Sequence, residues 1–338
     1  MVNVLVTGGA GFIGSNFVRY ALTAHADWHV TTLDKLTYAG RRENLHDVLA
    51  DPRHSFVHGD ICDAALAGPL VERANIVVHF AAETHVDRSI DDPALFLRTN
   101  ILGTQVLLDA ARKAKVARYL QISTDEVYGS LGATGRFSEE SPLAPNSPYA
   151  ASKTAADLLV RAYGKTFGLP VVVTRCSNNY GPYQFPEKLI PFFVTLLHEG
   201  KTVPVYGDGR NVRDWIHVDD HSRAVDAVLQ RGRPGEIYNV GRGNERTNIE
   251  ITKLLMAAMG KDERSMKFVP DRPGHDRRYA IDDAKIRAEL GVAPRVPFEE
   301  GLRATVRWYL DNEPWWRAVQ SGEYQSFYDR WYVRKDRA

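Results

Sequence analysis

Asn3–Gly14, at the very start of the sequence, reads NVLVTGGAGFIG and is its most informative segment. Its first five residues form a mostly apolar, valine-rich run, which is typical of a strand buried on both faces. Three glycines follow as Gly8, Gly11 and Gly14, and a helical apolar pattern begins at Phe12. Glycines at this spacing permit a tight turn and a close approach of the backbone to a phosphate at a helix N-terminus. The segment therefore predicts a nucleotide-binding α/β unit.

The same alternation of short β-rich runs and helical patterns continues through the first half of the chain. Strands are expected over 3–7, 28–34, 55–59, 75–81, 117–123 and 170–175, and helices over 12–24 and 93–115. This alternation predicts a Rossmann-type doubly wound parallel sheet with helices on both faces. Ligands of such sheets bind in the crevice at the carboxyl ends of the strands.

The pattern changes after about residue 175, where prolines and loops become frequent. Helices are expected over 219–230 and 248–259, with a strand over 236–240 that returns to the sheet. We therefore expect a dinucleotide-binding domain of residues 1–175 plus about 212–245. About 176–211 and 246–338 would form a smaller, discontinuous C-terminal domain that caps the carboxyl edge of the sheet.

Composition excludes several classes of protein. The 338 residues are 44% hydrophobic and 25% charged, with a net charge of +1 and no block of like charge, so neither nucleic acid nor a membrane surface is an expected partner. No apolar run reaches the roughly 18 residues needed to span a bilayer. The N-terminus reads as a strand and turn rather than a signal peptide. Two distant cysteines, Cys62 and Cys176, suit a reducing cytoplasm.

A carboxylate at the end of the second expected strand indicates which dinucleotide is bound. Asp34 lies 20 residues after Gly14, where an acidic side chain typically binds the adenine ribose hydroxyls and repels a 2′-phosphate. The sequence therefore favours NAD over NADP, although the adjacent Lys35 weakens that preference.

Tyr149 and Lys153 form a YxxxK pair just inside an expected helix. Four-residue spacing puts both side chains on one helical face. We expect the ammonium to lower the pKa of the phenol, which makes Tyr149 a base for a substrate hydroxyl. Lys153 would also hold the nicotinamide ribose. The motif is common by chance, and it gains weight here because it follows the glycine triplet.

Several further segments carry a resemblance to a known family. They are Ser123–Gly129 (STDEVYG), Ala82–Ser89 (AETHVDRS, with Thr84 where serine is more usual), Arg175–Pro182 (RCSNNYGP), Pro186–Pro191 (PEKLIP), Val212–Trp215 (VRDW) and Asp271–Asp276 (DRPGHD). With the glycine triplet and YxxxK, they resemble the extended short-chain dehydrogenase/reductase family over essentially the whole chain. The adjacent acids Asp125 and Glu126 are similar to those of its nucleotide-sugar 4,6-dehydratases, whereas its simple sugar epimerases have small neutral residues there.

The resemblance implies a set of site residues. The expected catalytic residues are Thr124, Asp125, Glu126, Tyr149 and Lys153. The expected NAD-binding residues are Gly8, Gly11, Phe12, Ile13, Gly14, Asp34, Lys35, Thr37, Gly40, Asp60, Ile61, Ala81, Ala82, Thr99, Ser123, Tyr149, Lys153 and Asn179. The expected substrate-binding residues are Thr84, Thr124, Asp125, Glu126, Asn178, Lys188, Leu189, Pro204, Tyr206, Arg213, Asn248, Arg272, His275 and Tyr324. Arg213 and Lys188 suit a diphosphate, since a guanidinium binds its oxygens bidentately.

The implied activity is a 4,6-dehydration of dTDP-glucose with a tightly bound NAD that is regenerated in each turnover. Tyr149 would deprotonate the 4-hydroxyl, Glu126 would take the C5 proton, and Asp125, held protonated, would protonate the departing 6-hydroxyl. A dehydratase of UDP-glucose stays open as the main alternative, because the contacts that read the base are not visible in the sequence. A UDP-sugar 4-epimerase and a non-enzymatic NAD-binding module are further alternatives.

Three other features receive plainer interpretations. The segment 217–221 (HVDDH) superficially suggests a metal site, but the chemistry needs no metal, and Asp219 is expected to cap the following helix. The tryptophans near the C-terminus indicate packing. A homodimer is expected from the resemblance, through the long helices near 100–115 and 149–167.

Overall fold

The computed structural model describes residues 1–271 and 274–320. Two predicted substrate ligands, Arg272 and Tyr324, lie outside these ranges. None of the helices in the described part of the chain combines the length and apolarity needed to cross a lipid bilayer.

The described residues form twelve strands in three sheets. In chain order the strands are β1 (Val2–Thr7), β2 (Trp28–Asp34), β3 (His54–His58), β4 (Ile76–His79), β5 (Arg118–Thr124), β6 (Val171–Cys176), β7 (Asn178–Tyr180), β8 (Val203–Tyr206), β9 (Val212–His217), β10 (Ile237–Val240), β11 (Glu245–Thr247) and β12 (Met266–Val269). Seven of them make one parallel sheet in the order β10-β6-β5-β4-β1-β2-β3. The remaining five form a three-stranded sheet, β11-β9-β7, and a pair, β12-β8.

Helices cover both faces of the large sheet and build the C-terminal part. They are α1 (Phe12–Ala24), α2 (Ala64–Glu72), α3 (Val86–Asp91), α4 (Pro93–Phe96), α5 (Thr104–Ala114), α6 (Pro148–Phe167), α7 (Leu189–His198), α8 (Val218–Arg231), α9 (Asn248–Ala258), α10 (Ala284–Leu290), α11 (Phe298–Asp311) and α12 (Glu313–Val319). Short 3-10 turns occur at Arg42–Leu45, Asp125–Tyr128 and Glu263–Ser265.

The doubly wound parallel sheet predicted from the sequence is confirmed. Strand order reverses beside β1, since β2 and β3 lie on one side of it and β4, β5, β6 and β10 on the other. This reversal opens a crevice at the carboxyl ends of the strands. The glycine turn after β1 and the segment after β5 both lie at that edge, which brings the two most informative motifs of the sequence together.

Three apolar cores hold the layers. One lies on the sheet face covered by α1 and α8, and includes Phe17, Val30 and Val225. A second lies on the opposite face beneath α2, α5 and α6. The third is separate from the large sheet and joins α7, α9, α11 and α12 around Tyr309 and Trp316. The C-terminal helices therefore have a core of their own, which positions them over the crevice.

The long helix expected over 93–115 is interrupted. α4 ends at Phe96, and a π-helical segment over Leu97–Gly103 leads into α5. The wider turns carry Asn100, whose side chain accepts from the Glu83 amide at 2.9 Å and donates to the Glu83 carbonyl at 3.0 Å. π-Helical turns are frequent at functional sites, and this one fixes the loop after β4 beside the crevice.

The prediction that Asp219 caps α8 is wrong. The helix begins at Val218, and the capping residue is His217, whose Nδ1 accepts from the Asp219 amide at 3.3 Å. Asp219 lies inside the first turn, where its negative charge interacts favourably with the helix dipole. In the described ranges, no group of three or more His, Cys, Asp or Glu side chains is arranged to hold a metal ion.

The turn after β1 leaves no room for a side chain at Gly8 or Gly14. Gly8 has φ +71°, and a Cβ on it would lie 2.5 Å from the amide nitrogen of Ala81. A Cβ on Gly14 would lie 2.2 Å from the carbonyl oxygen of Gly8. These contacts are with backbone atoms, so relief requires movement of the turn itself.

We expect Gly14→Ala to lower the free energy of unfolding by about 1–3 kcal/mol, because the added methyl group overpacks the turn. Gly132→Ala is a matched control, since nothing lies within 4 Å of the position that its methyl group would take, and it should change stability by no more than about 1 kcal/mol. Denaturant unfolding of both variants checks this. Equal stabilities for the two would contradict the tight packing of the turn.

Candidate active site

A deep cleft runs along the carboxyl ends of the strands in the large sheet. It has a volume of about 1550 Å³, which includes space open to solvent. All eighteen residues predicted to bind NAD line it: Gly8, Gly11, Phe12, Ile13, Gly14, Asp34, Lys35, Thr37, Gly40, Asp60, Ile61, Ala81, Ala82, Thr99, Ser123, Tyr149, Lys153 and Asn179. The glycine turn and the other predicted NAD ligands thus meet in one cleft.

The acidic side chain at the end of β2 is buried against the glycine turn. Asp34 accepts hydrogen bonds from the amides of Ala10, at 2.9 Å, and Leu36, at 2.8 Å. Burial raises its pKa, and these two hydrogen bonds oppose the rise. Lys35, which weakened the preference for NAD in the sequence, forms an ion pair with Asp60 at 2.8 Å. Its charge is therefore already balanced, and the carboxylate of Asp34 dominates this end of the cleft.

The YxxxK pair lies on the first turns of α6, as predicted, but its electrostatics differ from the prediction. Lys153 Nζ donates to the carbonyl oxygen of Ile122 at 2.8 Å. Burial is the largest cause that raises the pKa of Tyr149 well above its usual value, and repulsion from Glu126 is the second largest. A hydrogen bond with Thr124 lowers this pKa. The predicted lowering of the Tyr149 pKa by Lys153 is therefore wrong. Desolvation of the phenolate is the largest effect on this pKa.

The acid pair occupies the 3-10 turn that follows β5. The Asp125 carboxyl is 2% exposed, its Oδ1 accepts from the Thr124 hydroxyl at 3.4 Å, and its Oδ2 has no hydrogen-bond partner among the described residues. Burial, and next the charge of Glu126, hold the pKa of Asp125 well above its usual range. The direction of this shift supports the expectation that Asp125 is held protonated. An acid with a raised pKa thus lies beside Glu126, which suits proton donation.

A second cleft adjoins the first and encloses about 960 Å³. The two clefts share the side chains of Glu126, Asn178 and Lys188 in their walls. Of the other predicted substrate ligands, Leu189, Pro204, Tyr206, Arg213, Asn248 and His275 line the second cleft, and Thr84, Thr124 and Asp125 line the first. Glu126, next to Asp125 in the chain, therefore stands at the junction of the two clefts.

The two predicted diphosphate partners are held rigidly. Arg213 donates to the carbonyl oxygens of Val212 and Asp276, at 2.7 and 3.0 Å, and its guanidinium lies 4.2 Å from the ring centroid of Tyr279. Lys188 Nζ donates to the carbonyl oxygen of Thr84 at 3.1 Å. Arg213 is only 6% exposed, which excludes the alternative of a solvated surface cation.

Several lining residues were not among the predicted ligands. In the first cleft they include Tyr38, Ala39, Glu83, Gln184 and Phe185, and in the second His85, Asp87, Glu187, Phe192, Phe193, Trp215 and Tyr279. Five of these twelve, Glu83, His85, Asp87, Glu187 and Trp215, lie within segments that carried the family resemblance, so those segments were found but not the individual side chains. Phe192 and Phe193 lie on α7, and an apolar residue in a helix carries no signal that it faces a ligand.

Cys176 also lines the first cleft, but it is not a nucleophile. Its Sγ donates to the carbonyl oxygen of Ser123 at 3.3 Å, and burial raises the pKa of the thiol to about 12. The thiolate that nucleophilic attack requires is therefore not formed near neutral pH.

Comparison with known proteins assigns the family. The family model described as GDP-mannose 4,6 dehydratase matches residues 5–305. The chain belongs to this family of extended short-chain dehydrogenases. This membership confirms the resemblance found in the sequence segments around the acid pair and the YxxxK motif.

Individual relatives are more similar still. A dTDP-glucose 4,6-dehydratase from Actinoplanes sp. is 56% identical over 320 residues, which cover 93% of this chain and 100% of the relative. The crystal structure of the dTDP-glucose 4,6-dehydratase DesIV from Streptomyces venezuelae, solved with NAD bound, has a TM-score of 0.92 and 55% identity, covering 94% of this chain and 100% of that one. The UDP-glucose 4-epimerase of Thermotoga maritima is more distant, with a TM-score of 0.86 and 32% identity at 92% and 100% coverage.

Glu83 provides a test of the electrostatics inside the cleft. Its side chain is almost fully buried, and burial, opposed by the charge of Arg88, raises its pKa from 4.5 to about 7. The folded protein thus holds a proton between these values that the unfolded chain has lost, so stability falls as pH rises through this window. Glu83→Gln removes the ionisation, and we expect its stability advantage over the wild type to grow by about 2–3 kcal/mol between pH 5 and pH 8.

Denaturant unfolding at the two pH values measures this difference. Glu43→Gln is the matched control, because the side chain of Glu43 is 64% exposed, and its unfolding free energy should follow the wild type at both values. Curves for Glu83→Gln and the wild type that stay parallel across the range would contradict the burial effect.

Proposed function

We propose that this chain is an NAD-dependent hydro-lyase that converts dTDP-glucose to dTDP-4-keto-6-deoxyglucose. The observation that carries the proposal is the position of the acid pair. Glu126 lines both clefts, the buried Asp125 with its raised pKa lies directly beside it in the chain, and Tyr149 lines the first cleft. An epimerase needs no acid at C6 and no base at C5, and three relatives at 54–56% identity are dTDP-glucose 4,6-dehydratases.

The glycine turn, Asp34 and Lys153 would hold NAD, with the turn and the N-terminus of α1 at the pyrophosphate and the Asp34 carboxylate at the adenine ribose. When bound, NAD accepts a hydride from C4 of the sugar and returns a hydride to C6. No reductant is consumed overall, so release of the cofactor is unnecessary, and we propose that it stays tightly bound.

The first proton transfer falls to Tyr149. Its hydroxyl already has a hydrogen bond with Thr124, which would also hydrogen-bond the oxygen at C4. Tyr149 takes the proton from the 4-hydroxyl as that carbon becomes a ketone. Because burial raises the pKa of the phenol, the site needs an opposite charge nearby at this step, and the Lys153 ammonium is the group on the same helical face that supplies it.

The elimination uses the two acids in opposite senses. The new ketone acidifies the C5 proton, and Glu126 removes it. Asp125 delivers its proton to the departing 6-hydroxyl, which leaves as water. Glu126 later returns its proton to C5. One group must accept while the other donates, and the buried Asp125 beside the less buried Glu126 provides this pair.

We expect Asp125→Asn and Glu126→Gln each to slow dehydration about 10²- to 10⁴-fold, while the first oxidation still occurs. Reduced-nicotinamide absorbance should then accumulate on mixing with dTDP-glucose. Tyr149→Phe should abolish that absorbance, because the 4-hydroxyl keeps its proton. Glu140→Gln, at an exposed position, is the control and should match the wild type.

Mass spectrometry of the product, with dTDP-glucose and UDP-glucose compared in parallel, completes this test. Loss of one water from dTDP-glucose without added reductant supports the proposal. Equal or faster turnover of UDP-glucose would overturn the nucleotide assignment but keep the chemistry. Conversion of UDP-glucose to UDP-galactose without dehydration would overturn the role of the acid pair.

The domain division proposed from the sequence assigns residues 1–175 and about 212–245 to NAD, and about 176–211 and 246–338 to the nucleotide-sugar. The separate core around Tyr309 and Trp316 supports it. β9 lies at the junction, because it pairs with β7 and β11 while α8 directly after it covers the large sheet. A cytoplasmic location is also part of the proposal, supported by two cysteines that are both free thiols.

We also propose a homodimer through the helices near 100–115 and 149–167. Large apolar side chains are exposed on and just before these helices: Leu95, Leu97, Leu102, Leu158 and Phe167. An exposed apolar surface of this kind is typical of a protein interface.

We expect Leu158→Glu combined with Leu102→Glu to shift the protein toward monomer, because two charges would be buried in the interface. Phe268→Glu is the matched control, since Phe268 is 57% exposed on β12, away from these helices. Sedimentation equilibrium checks the outcome. A double variant with the same mass as the wild type would exclude this surface as the interface.

A further inference from the structure

A buried ion pair lies behind the YxxxK motif and takes no part in the mechanism above. Arg175, on β6, donates from Nε to Asp157 Oδ2, on α6, at 3.0 Å. The side chains are 3% and 2% exposed. Removing two charges from water is costly, and an isolated buried pair rarely repays that cost in stability. Its position is therefore the better guide to its role.

Asp157 lies one helical turn after Lys153 on α6, so the two side chains share a face of the helix. Its Oδ1 has no hydrogen-bond partner among the described residues. Burial lowers the pKa of Lys153, and the charge of Asp157 is the largest contribution that opposes this. Asp157 is thus placed to stabilise the ammonium that, in the proposed mechanism, balances the charge of the Tyr149 phenolate.

Arg175 extends the connection to the acid pair. Its guanidinium lies 4.8 Å from the ring centroid of Tyr128, the last residue of the 3-10 turn that carries Asp125 and Glu126. Tyr128 donates to Asn239 Oδ1, on β10, at 2.8 Å. The Arg175 guanidinium therefore contacts both α6, which carries Tyr149, and the 3-10 turn, which carries Asp125 and Glu126.

We propose that the Asp157–Arg175 pair is a positioning element of the active site. Asp157 is the counter-charge that keeps Lys153 protonated, and Arg175 fixes the turn of Asp125 and Glu126 relative to α6. This role rests on the proposed function, because it concerns the groups that perform the dehydration. Neither residue touches the reacting atoms in this scheme, so each acts through its neighbours.

Asp157→Asn tests the role of the charge. Asparagine keeps the shape and still accepts from Arg175, but it leaves the buried guanidinium without a counter-charge, so denaturant unfolding of the variant is measured alongside its activity. With the counter-charge gone, Lys153 loses its proton at lower pH, and the alkaline limb of the kcat/KM profile should move down by about one pH unit. KM for dTDP-glucose should stay within about twofold of the wild type, since the clefts are unchanged.

Arg175→Lys tests the role of the geometry. Lysine keeps a positive charge beside Asp157 but lacks the planar fork that pairs with a carboxylate and stacks on a ring. We expect the alkaline limb to stay within about 0.3 pH units of the wild type, while kcat falls about tenfold or more because the acid pair is misplaced.

Tyr163→Phe is the matched control on the same helix, where it removes only the hydrogen bond from the Tyr163 hydroxyl to Asp109 Oδ1 at 2.7 Å. Its profile and kcat should match the wild type. The NAD content of every variant is measured after denaturation, so that loss of cofactor is distinguished from loss of positioning.

The outcomes separate the two proposals. If the wild type dehydrates dTDP-glucose and Asp157→Asn has the same pH profile, or Arg175→Lys the same kcat, the positioning role is overturned and the proposed function stands. A uniform fall in stability with an unmoved alkaline limb also overturns it, since that is the signature of a purely structural ion pair. A wild type that dehydrates no nucleotide-sugar overturns both.

Discussion

The close contact between the turn after β1 and the loop after β4 is the constraint that organises the remainder of the site. Gly8 has no room for a side chain because the backbone of Ala81 occupies that space. In the same turn, the amide of Ala10 donates a hydrogen bond to the Asp34 carboxylate. Three strand ends of the parallel sheet are thereby fixed at one point. The cleft above them is formed by backbone packing before any ligand contributes, which is how a preformed nucleotide site is expected to arise.

Burial, rather than pairing of charges, is the main cause of the pKa shifts in the cleft. Desolvation is the largest cause of the raised pKa at Asp125, Glu83 and Tyr149. For Asp125 this suits an acid that must hold its proton until a leaving group needs it. For Tyr149 it creates a need for a nearby positive charge at the moment of proton transfer. Burial also lowers the pKa of Lys153, and the charge of Asp157, packed behind it, opposes that shift.

The junction of the two clefts explains why the acid pair stands where it does. The 3-10 turn follows directly after β5, a central strand of the large sheet, so its position is fixed by the sheet. Glu126 and the C-terminal core around Tyr309 and Trp316 belong to different parts of the chain. The walls of the second cleft contain both Glu126 and residues of that core. In the proposed function, a sugar held there would meet groups supplied by the sheet, and its nucleotide would meet those supplied by the later segments.

Local patterns in the sequence were sufficient to predict the strand-turn-helix unit at Asn3–Gly14, the parallel sheet, the carboxylate at Asp34 and the placement of Tyr149 and Lys153 on one helix. These features depend on periodicity, turn chemistry and short spacings, which a linear pattern records. The packed chain was needed to establish the raised pKa of Asp125 and of Tyr149, the pairing of Lys35 with Asp60 and the contact of Arg175 with Asp157. Each of these depends on desolvation or on a partner distant in sequence, and neither quantity exists until the chain has packed.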